Sequence, residues 1–336
     1  MGKKRWGLWG AGIGGLLVAV SVLLVWVGAA NVESVRLPDG SERDYLLITP
    51  DDEETPRPLV VLLHEELGSP QTALAVSGLD RLAEARGFYL AAPVGSPPLA
   101  QGRAPFGVGV WNVGFCCGLA AEARADDVGF VRAVIAQITA THAVDTDRVY
   151  LAGYRTGGAL AERAACALAE VDGVAIVSGD NAGPSCDPGR PLPLVSIHGL
   201  ADPCAPIGGG ASCGGCAERF GQLLMGIDNG AYIPSWPCEP VVDHLRPWRE
   251  AAGCEEARRV VHEEPGVRCH VYEGCAPGAA FTACEVERHG HLWPGAQLCG
   301  GSHSPLCHLM RKVFGPVEAD FDAAAYLWRA LSAARP

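Results

Sequence analysis

The sequence predicts an α/β fold: a mostly parallel central sheet with helices on both faces and a Cys-rich insertion. Three observations predict it. Short apolar, β-branched runs alternate with stretches of helical length, the order that builds parallel strands joined by covering helices. One run, Leu59–Leu63, is apolar at every position, as a strand buried on both faces requires. Residues 204–240 break the alternation with Gly, Pro and four cysteines, which reads as a disulfide-pinned insertion or lid after a strand, not a second domain.

Tyr45–Ile48 is a short strand, and Leu59–Leu63 ends at His64. Pro70 suits the first turn of a helix that runs to Arg86 and stops at Gly87. Phe88–Ala92 is the next strand. A long loop follows with Trp111-Asn112 and the adjacent Cys116-Cys117. Asp126 or Asp127 caps a helix over Val128–Thr141, whose Val131, Val134, Ile135 and Ile138 share one face. Val149–Ala152 is a strand leading through a glycine-rich turn into a helix that ends near Leu168. Val174–Val177, Leu194–Ile197 and Phe281–Val286 complete the strands, and Asp322–Leu331 is a closing helix.

The 336 residues include 49% hydrophobic and 19% charged, enough for one large domain over 31–336. The net charge of −12 argues against nucleic acid and anionic membrane surfaces as partners. At the start, Lys3, Lys4 and Arg5 precede an uncharged run from Trp6 to Val32 with its apolar heart at Leu16–Val27. That is an N-terminal signal peptide, with Gly28-Ala29-Ala30 as a cleavage site, or an uncleaved membrane anchor. Either one exports everything after residue 30, and membrane contact is confined to residues 6–30 if the segment is kept.

All fourteen cysteines lie in the exported part, where disulfides are the default. Cys213 and Cys216 have the spacing of half a metal site, with His289 and His291 downstream, but no second Cys-x-x-Cys exists. No metal or cofactor is expected. Cys116 and Cys117, as neighbours, are poorly placed to bond each other, so each should pair at a distance, with Cys166 and Cys186 as the partners.

The glycine-rich turn is the informative one. Val149–Ala152, then Gly153-Tyr154-Arg155-Thr156-Gly157, then an Ala/Leu-rich helix has the layout of a nucleophile elbow, Gly-x-Ser-x-Gly. The central position holds Arg155. A guanidinium stays protonated at any working pH and cannot attack a carbonyl. In the order that follows an elbow, Asp202 after one strand and His291 after another fit the acid and the base.

These features together resemble the exported esterases of the poly(3-hydroxybutyrate) depolymerase and feruloyl esterase type. The matching residues run from Arg43 to Arg329. They include Leu63-His64 with Gly68-Ser69, Trp111-Asn112 with Cys116-Cys117-Gly118, and Asp126 to Phe130. Val144-Asp145, Arg148 to Tyr150, the elbow, His198-Gly199 with Ala201-Asp202-Pro203, and Gly290-His291 with Trp293-Pro294-Gly295 follow. The resemblance implies an α/β-hydrolase fold, Asp202 and His291 as retained triad positions, and a cleft at His64, Glu65, Trp111 and Thr156. It also implies a Cys254–Cys275 disulfide.

Two departures fall on the chemistry. Arg155 stands where the family has Ser. Glu65 stands where the family has Gly on the loop that shapes the oxyanion hole, and a carboxylate there repels a developing oxyanion. Thr156 is no ready substitute, because a one-residue shift would put Tyr154 where the elbow needs a small residue. Arg155 should face Glu65, or failing that Glu66, across the cleft. The expectation is an esterase-family protein that has lost its chemistry and binds an ester, carboxylate or polysaccharide ligand, or a partner protein, in the old cleft. The alternatives are an active ester hydrolase with another nucleophile, and a structural cell-surface protein held by disulfides.

Overall fold

A computed structural model describes residues 31–97, 107–179, 181, 184–216, 219, 223, 235–296, 305–318 and 320–334. The expected signal or anchor over residues 1–30 lies outside the described residues. No described helix is long and apolar enough to cross a membrane.

The strands are β1 (Asn31–Arg36), β2 (Glu42–Ile48), β3 (Arg57–Leu63), β4 (Tyr89–Pro93), β5 (Val144–Tyr154), β6 (Gly173–Val177), β7 (Leu194–Gly199), β8 (Gly210–Cys213), β9 (Trp236–Cys238), β10 (Arg258–Glu264), β11 (Val267–Tyr272) and β12 (Phe281–Val286). Ten of them form one sheet in the order β1-β2-β4-β3-β5-β6-β7-β12-β11-β10. From β4 through β12 neighbours run parallel, while β1, β2, β11 and β10 join antiparallel at the two ends. The parallel centre is where the sequence is apolar at every position: all residues of β4, β6 and β7 are buried.

In β3, Leu59, Val61 and Leu63 face one core and Val60 and Leu62 the other. The first core is closed by α4 (Asp127–Thr141) and α5 (Thr156–Ala167) through Val131, Ile135, Leu160 and Ala164. The second is closed by α1 (Pro70–Ser77), α2 (Leu79–Arg86) and α9 (Ala323–Ala333) through Leu74, Leu79, Leu327 and Leu331. Short helices α3 (Gly118–Glu122), α6 (Val241–His244) and α7 (Arg246–Ala251) and the helix α8 (Pro305–Phe314) lie in the connections.

The helix expected from Pro70 to Arg86 is two helices, because Gly78 takes a left-handed conformation (φ 68°) that ends α1. Asp126, not Asp127, caps α4, accepting from the Gly129 N–H at 2.8 Å. The β10–β11 hairpin was not expected. Edge strand β10 is largely exposed and charged, so it carries no apolar pattern to read.

Among the described residues six disulfides join twelve cysteines. Cys254–Cys275 forms as expected, with Cα atoms 3.8 Å apart. The expected long-range pairing of Cys116 and Cys117 does not. They bond each other across a cis peptide with Cα atoms 3.1 Å apart, an arrangement that turns both side chains to one side, and Cys166 pairs with Cys186. In the insertion, Cys204–Cys216 and Cys213–Cys238 pin the β8–β9 ribbon, so Cys213 and Cys216 are not thiolates open to a metal. Phe115 and Trp236 pack against the Cys213–Cys238 bond, tying the ribbon to the loop that holds Cys116.

Candidate active site

β5 ends at Tyr154, and α5 starts at Thr156. Between them Arg155 has φ 53° and ψ −121°, a conformation costly for a side-chain-bearing residue. Its N–H donates to the Val177 carbonyl at 3.1 Å, which fixes the turn on β6. The flanking glycines are demanded by contact. A Cβ on Gly153 would meet the Gly157 oxygen at 2.2 Å, and one on Gly157 would meet the Leu63 oxygen at 2.1 Å. The elbow helix therefore packs against the end of β3, and the loop after β3 lies beside the elbow.

That loop is a tight turn. The Gly68 N–H donates to the Glu65 carbonyl at 3.0 Å, and Leu67 sits at positive φ. The turn sends its two carboxylates in different directions. Glu66, not Glu65, reaches the elbow: its Oε1 accepts from the Arg155 guanidinium, and its Oε2 accepts from Thr156 Oγ1 at 3.1 Å. The pair is enclosed, with side-chain exposures of 7% for Arg155 and 4% for Glu66.

Glu65 corrects the first expectation. Its carboxyl folds back over Gly68 toward α1, where Oε1 accepts from Thr72 Oγ1 at 3.5 Å and Oε2 is enclosed with no hydrogen-bond partner among the described residues. Burial pushes the Glu65 carboxyl up to about 7, against the opposing pull of its backbone hydrogen bond and of Arg155. His64 and Trp111 lie under this loop. His64 Nδ1 donates to the Glu65 carbonyl at 2.7 Å, Nε2 accepts from the Gly95 N–H at 3.0 Å, and Trp111 Nε1 donates to the His64 carbonyl at 2.8 Å. Burial pushes His64 down to about 4, so it is a neutral brace for the loop.

On the other side, His291 Nδ1 donates to Asp202 Oδ2 at 2.7 Å, and both residues are buried. Asp202 also holds the start of the insertion, since Oδ1 accepts from the N–H groups of Cys204 at 2.8 Å and Ala205 at 2.9 Å. His198 Nε2 lies 3.4 Å from Oδ2. Burial opposes ionisation of Asp202, but His291 and the hydrogen bonds from His198 and His291 outweigh it and hold the carboxyl well below the usual range. Asp202, Cys204 and His291 place potential ligand atoms within 4.8 Å of one another, yet the Cys204 sulfur is committed to Cys216.

Phe314 at the end of α8 joins the two halves. Its carbonyl accepts from the His291 N–H at 2.6 Å, and the Arg155 guanidinium carbon stands 4.5 Å from its ring centroid. Tyr154 Oη also donates to the His291 carbonyl at 3.4 Å. The arrangement thus brings the Asp202–His291 pair and Arg155 together, and supplies Glu66 and Phe314 as further members. Phe314 carried no signal in the sequence, because nothing marked 305–314 as an element that returns to the elbow.

No protein-family model matches the chain. Over 240 residues, 70% of its length, it is 30% identical to feruloyl esterase B of Piromyces equi, and the match covers 39% of that protein. Over 251 residues, 71% of its length, it is 30% identical to the "Putative esterase NocK" of Nocardia uniformis subsp. tsuyamanensis, covering 66% of it. The matched regions therefore span less than two thirds of either relative. The acetyl xylan esterase structure from Aspergillus awamori aligns with a TM-score of 0.52 over 78% of this chain and 94% of that one, at 11% identity, a likeness of fold.

Proposed function

We propose, from the premise that the chain belongs to the feruloyl-esterase-like family of α/β-hydrolases, that it is a catalytically impaired member whose elbow is an internal salt bridge. The observation that carries this reading is the Glu66 carboxylate bound to both Arg155 and Thr156. Where the chemistry needs a hydroxyl on the base and donors aimed at an oxyanion, this chain puts a cation, and an anion against it. His291 keeps its orienting carboxylate but has no serine to deprotonate at the elbow.

An arginine that holds a carboxylate of its own chain suits a ligand that offers one, with Glu66 as the group the ligand displaces. The former cleft then serves to bind a carboxylate, ester or polysaccharide ligand. The six disulfides and the basic, apolar N-terminus support an exported protein, with residues 1–30 as cleaved signal or retained anchor and 31–336 as the esterase-like domain.

The test is labelling of the purified protein by a fluorophosphonate probe, which reacts with activated hydroxyls. Labelling no higher than that of a His291→Ala control is expected. Labelling that His291→Ala abolishes would overturn the proposal. It would favour the second reading, an active ester hydrolase with another nucleophile.

A further inference from the structure

A groove of about 690 Å³ runs beside the start of α4 and the last turns of α5. It is lined by two arginines, Arg124 ahead of α4 and Arg163 on α5. Arg163 lies two helical turns, about 10 Å, beyond Thr156 along α5, so this is not the elbow. Neither guanidinium has a hydrogen bond or ion pair among the described residues.

The acids that share the groove are committed elsewhere. Asp127 takes Arg43 on one oxygen, at 2.5 Å, and the Asn112 N–H on the other, at 2.6 Å. Asp126 Oδ1 is the cap of α4. The Asn112 side chain is likewise spent, donating to the Ala125 carbonyl at 2.8 Å and accepting from the Gly114 N–H at 3.0 Å. Beside the two cationic forks only Asp126 Oδ2 is left without a hydrogen bond among the described charged groups that line the groove, so two cations face one carboxylate oxygen, in a chain whose net charge is −12.

Arg163 lies against the backbone of Gly114. A Cβ on Gly114, which has φ 92°, would lie 1.8 Å from Arg163 Nη1, so the glycine makes room for the guanidinium. Val128, Ala167 and Pro184 give the groove an apolar wall. The volume is within the 300–1,000 Å³ or so of small-ligand sites.

We propose that this groove binds the carboxylate of a ring-bearing acid, with Arg124 and Arg163 on the anion and the apolar wall against the ring. Guanidinium forks match a carboxylate's two oxygens, and the apolar wall favours a ligand with a flat or weakly polar face. The acid is either a free aromatic acid or a uronic-acid unit of a polysaccharide. The site does not depend on what Arg155 does.

The experiment is calorimetric titration of the whole exported chain with 4-hydroxycinnamate and with tri-galacturonate, each beside its methyl ester. At least one acid should bind, at least tenfold more tightly than its ester, and whichever does so identifies the source. Arg124→Gln and Arg163→Gln should each weaken that binding at least tenfold, while Arg258→Gln on the exposed edge strand β10 leaves it unchanged. Melting curves establish that the variants are folded; should Arg163→Gln fail to fold, the exposed Arg124→Gln carries the test. Equal binding of acid and ester, full affinity in the folded arginine variants, or no binding of either acid would overturn the proposal. A loss of binding only in Arg155→Gln would place the ligand at the elbow instead.

Discussion

The acid–base half of the site and the elbow half are held by unlike means. Asp202 and His291 sit 2.7 Å apart in the arrangement that orients an imidazole, and Asp202 also ties down Cys204 and Ala205. At the elbow the backbone is equally conventional, but the groups it presents are an arginine and its carboxylate partner. The difference teaches that much of the frame around the site is also used by the fold, whatever the chemistry of the site. Gly153 and Gly157 are fixed by backbone contacts under 2.5 Å from a would-be Cβ, and Asp202 by the loop it caps. Arg155, at the centre of that frame, is held instead through its side chain, by the Glu66 carboxylate.

The largest effect expected from breaking this contrast is on turnover. Hydrolysis of short p-nitrophenyl esters by the natural chain should match an Asp202→Ala, His291→Ala control. Arg155→Ser alone should stay there, because Glu66 would keep its carboxylate at the elbow with the compensating cation gone. Arg155→Ser with Glu66→Gly removes both obstacles and should raise turnover about 100-fold or more, a small part of the roughly 10⁶-fold or larger accelerations of enzymes. Full recovery in the single variant would show that Glu66 is no obstacle.

Next in size is the stability of the buried pair. Removing one partner of an enclosed ion pair costs about 3–5 kcal/mol, because the other charge is left unpaired in a dry site. Arg155→Ser and Glu66→Gly should each destabilise by that order, and the double variant by clearly less than their sum, with a coupling of about 0.5–3 kcal/mol. Denaturant titration of the four proteins measures it. Additive losses would mean that the two residues do not share one interaction.

The pairing of an arginine with a loop glutamate was legible in the sequence; which glutamate was not. The frame Gly153-Arg155-Gly157 and the strand end at His64 imply adjacency, because both surround one oxyanion. Choosing between Glu65 and Glu66 needs the turn that closes Glu65 on Gly68, and a local backbone turn of this kind is not encoded by residue type alone. The parallel strands were legible because burial on both faces leaves unbroken apolar runs such as Leu59–Leu63. β5 begins five residues before the apolar Val149, since its polar start at Val144–Arg148 is partly exposed. The Cys116–Cys117 bond was not legible, because neighbouring cysteines point apart across the usual trans peptide and meet here only across a cis one.

A smaller effect separates Asp202 from His291. If Asp202 is kept for the insertion loop, Asp202→Ala should destabilise more than His291→Ala, by about 1–3 kcal/mol, the scale of hydrogen bonds to a charged group. The effect has a pH signature. The folded-state pKa is depressed, so the carboxylate's stabilisation is present above the unfolded value of about 4 and is lost as pH falls below it. Asp202→Ala should therefore be less sensitive to acid below about pH 4, and no different from the natural chain in its pH dependence between there and neutrality. Equal losses for the two variants, with parallel acid profiles, would return Asp202 to a role through His291 alone.

Glu65 offers the finest test, because it lies next to the elbow pair without joining it. Its carboxyl is pushed up to about 7 by burial, with Arg155 and Thr72 favouring the charged form and Glu66 opposing it. A raised folded-state pKa stabilises the fold fully below the unfolded value, about 4.3, and that contribution is lost as pH rises through 7. Glu65→Gln removes the titration, so the variant should gain on the natural chain between pH 5 and pH 8. The gain is on the order of 2 kcal/mol, because each tenfold change in proton affinity is worth about 1.4 kcal/mol. A stability difference that stays flat across that range would show that Glu65 ionises as it does in water. The same measurement in an Arg155→Ser background sharpens the contrast between the two glutamates. Without the cation the charged form of Glu65 loses support, and its midpoint should move above 7. A midpoint that does not move would mean that the salt bridge screens Glu65 from Arg155, leaving the loop's two carboxylates electrostatically independent.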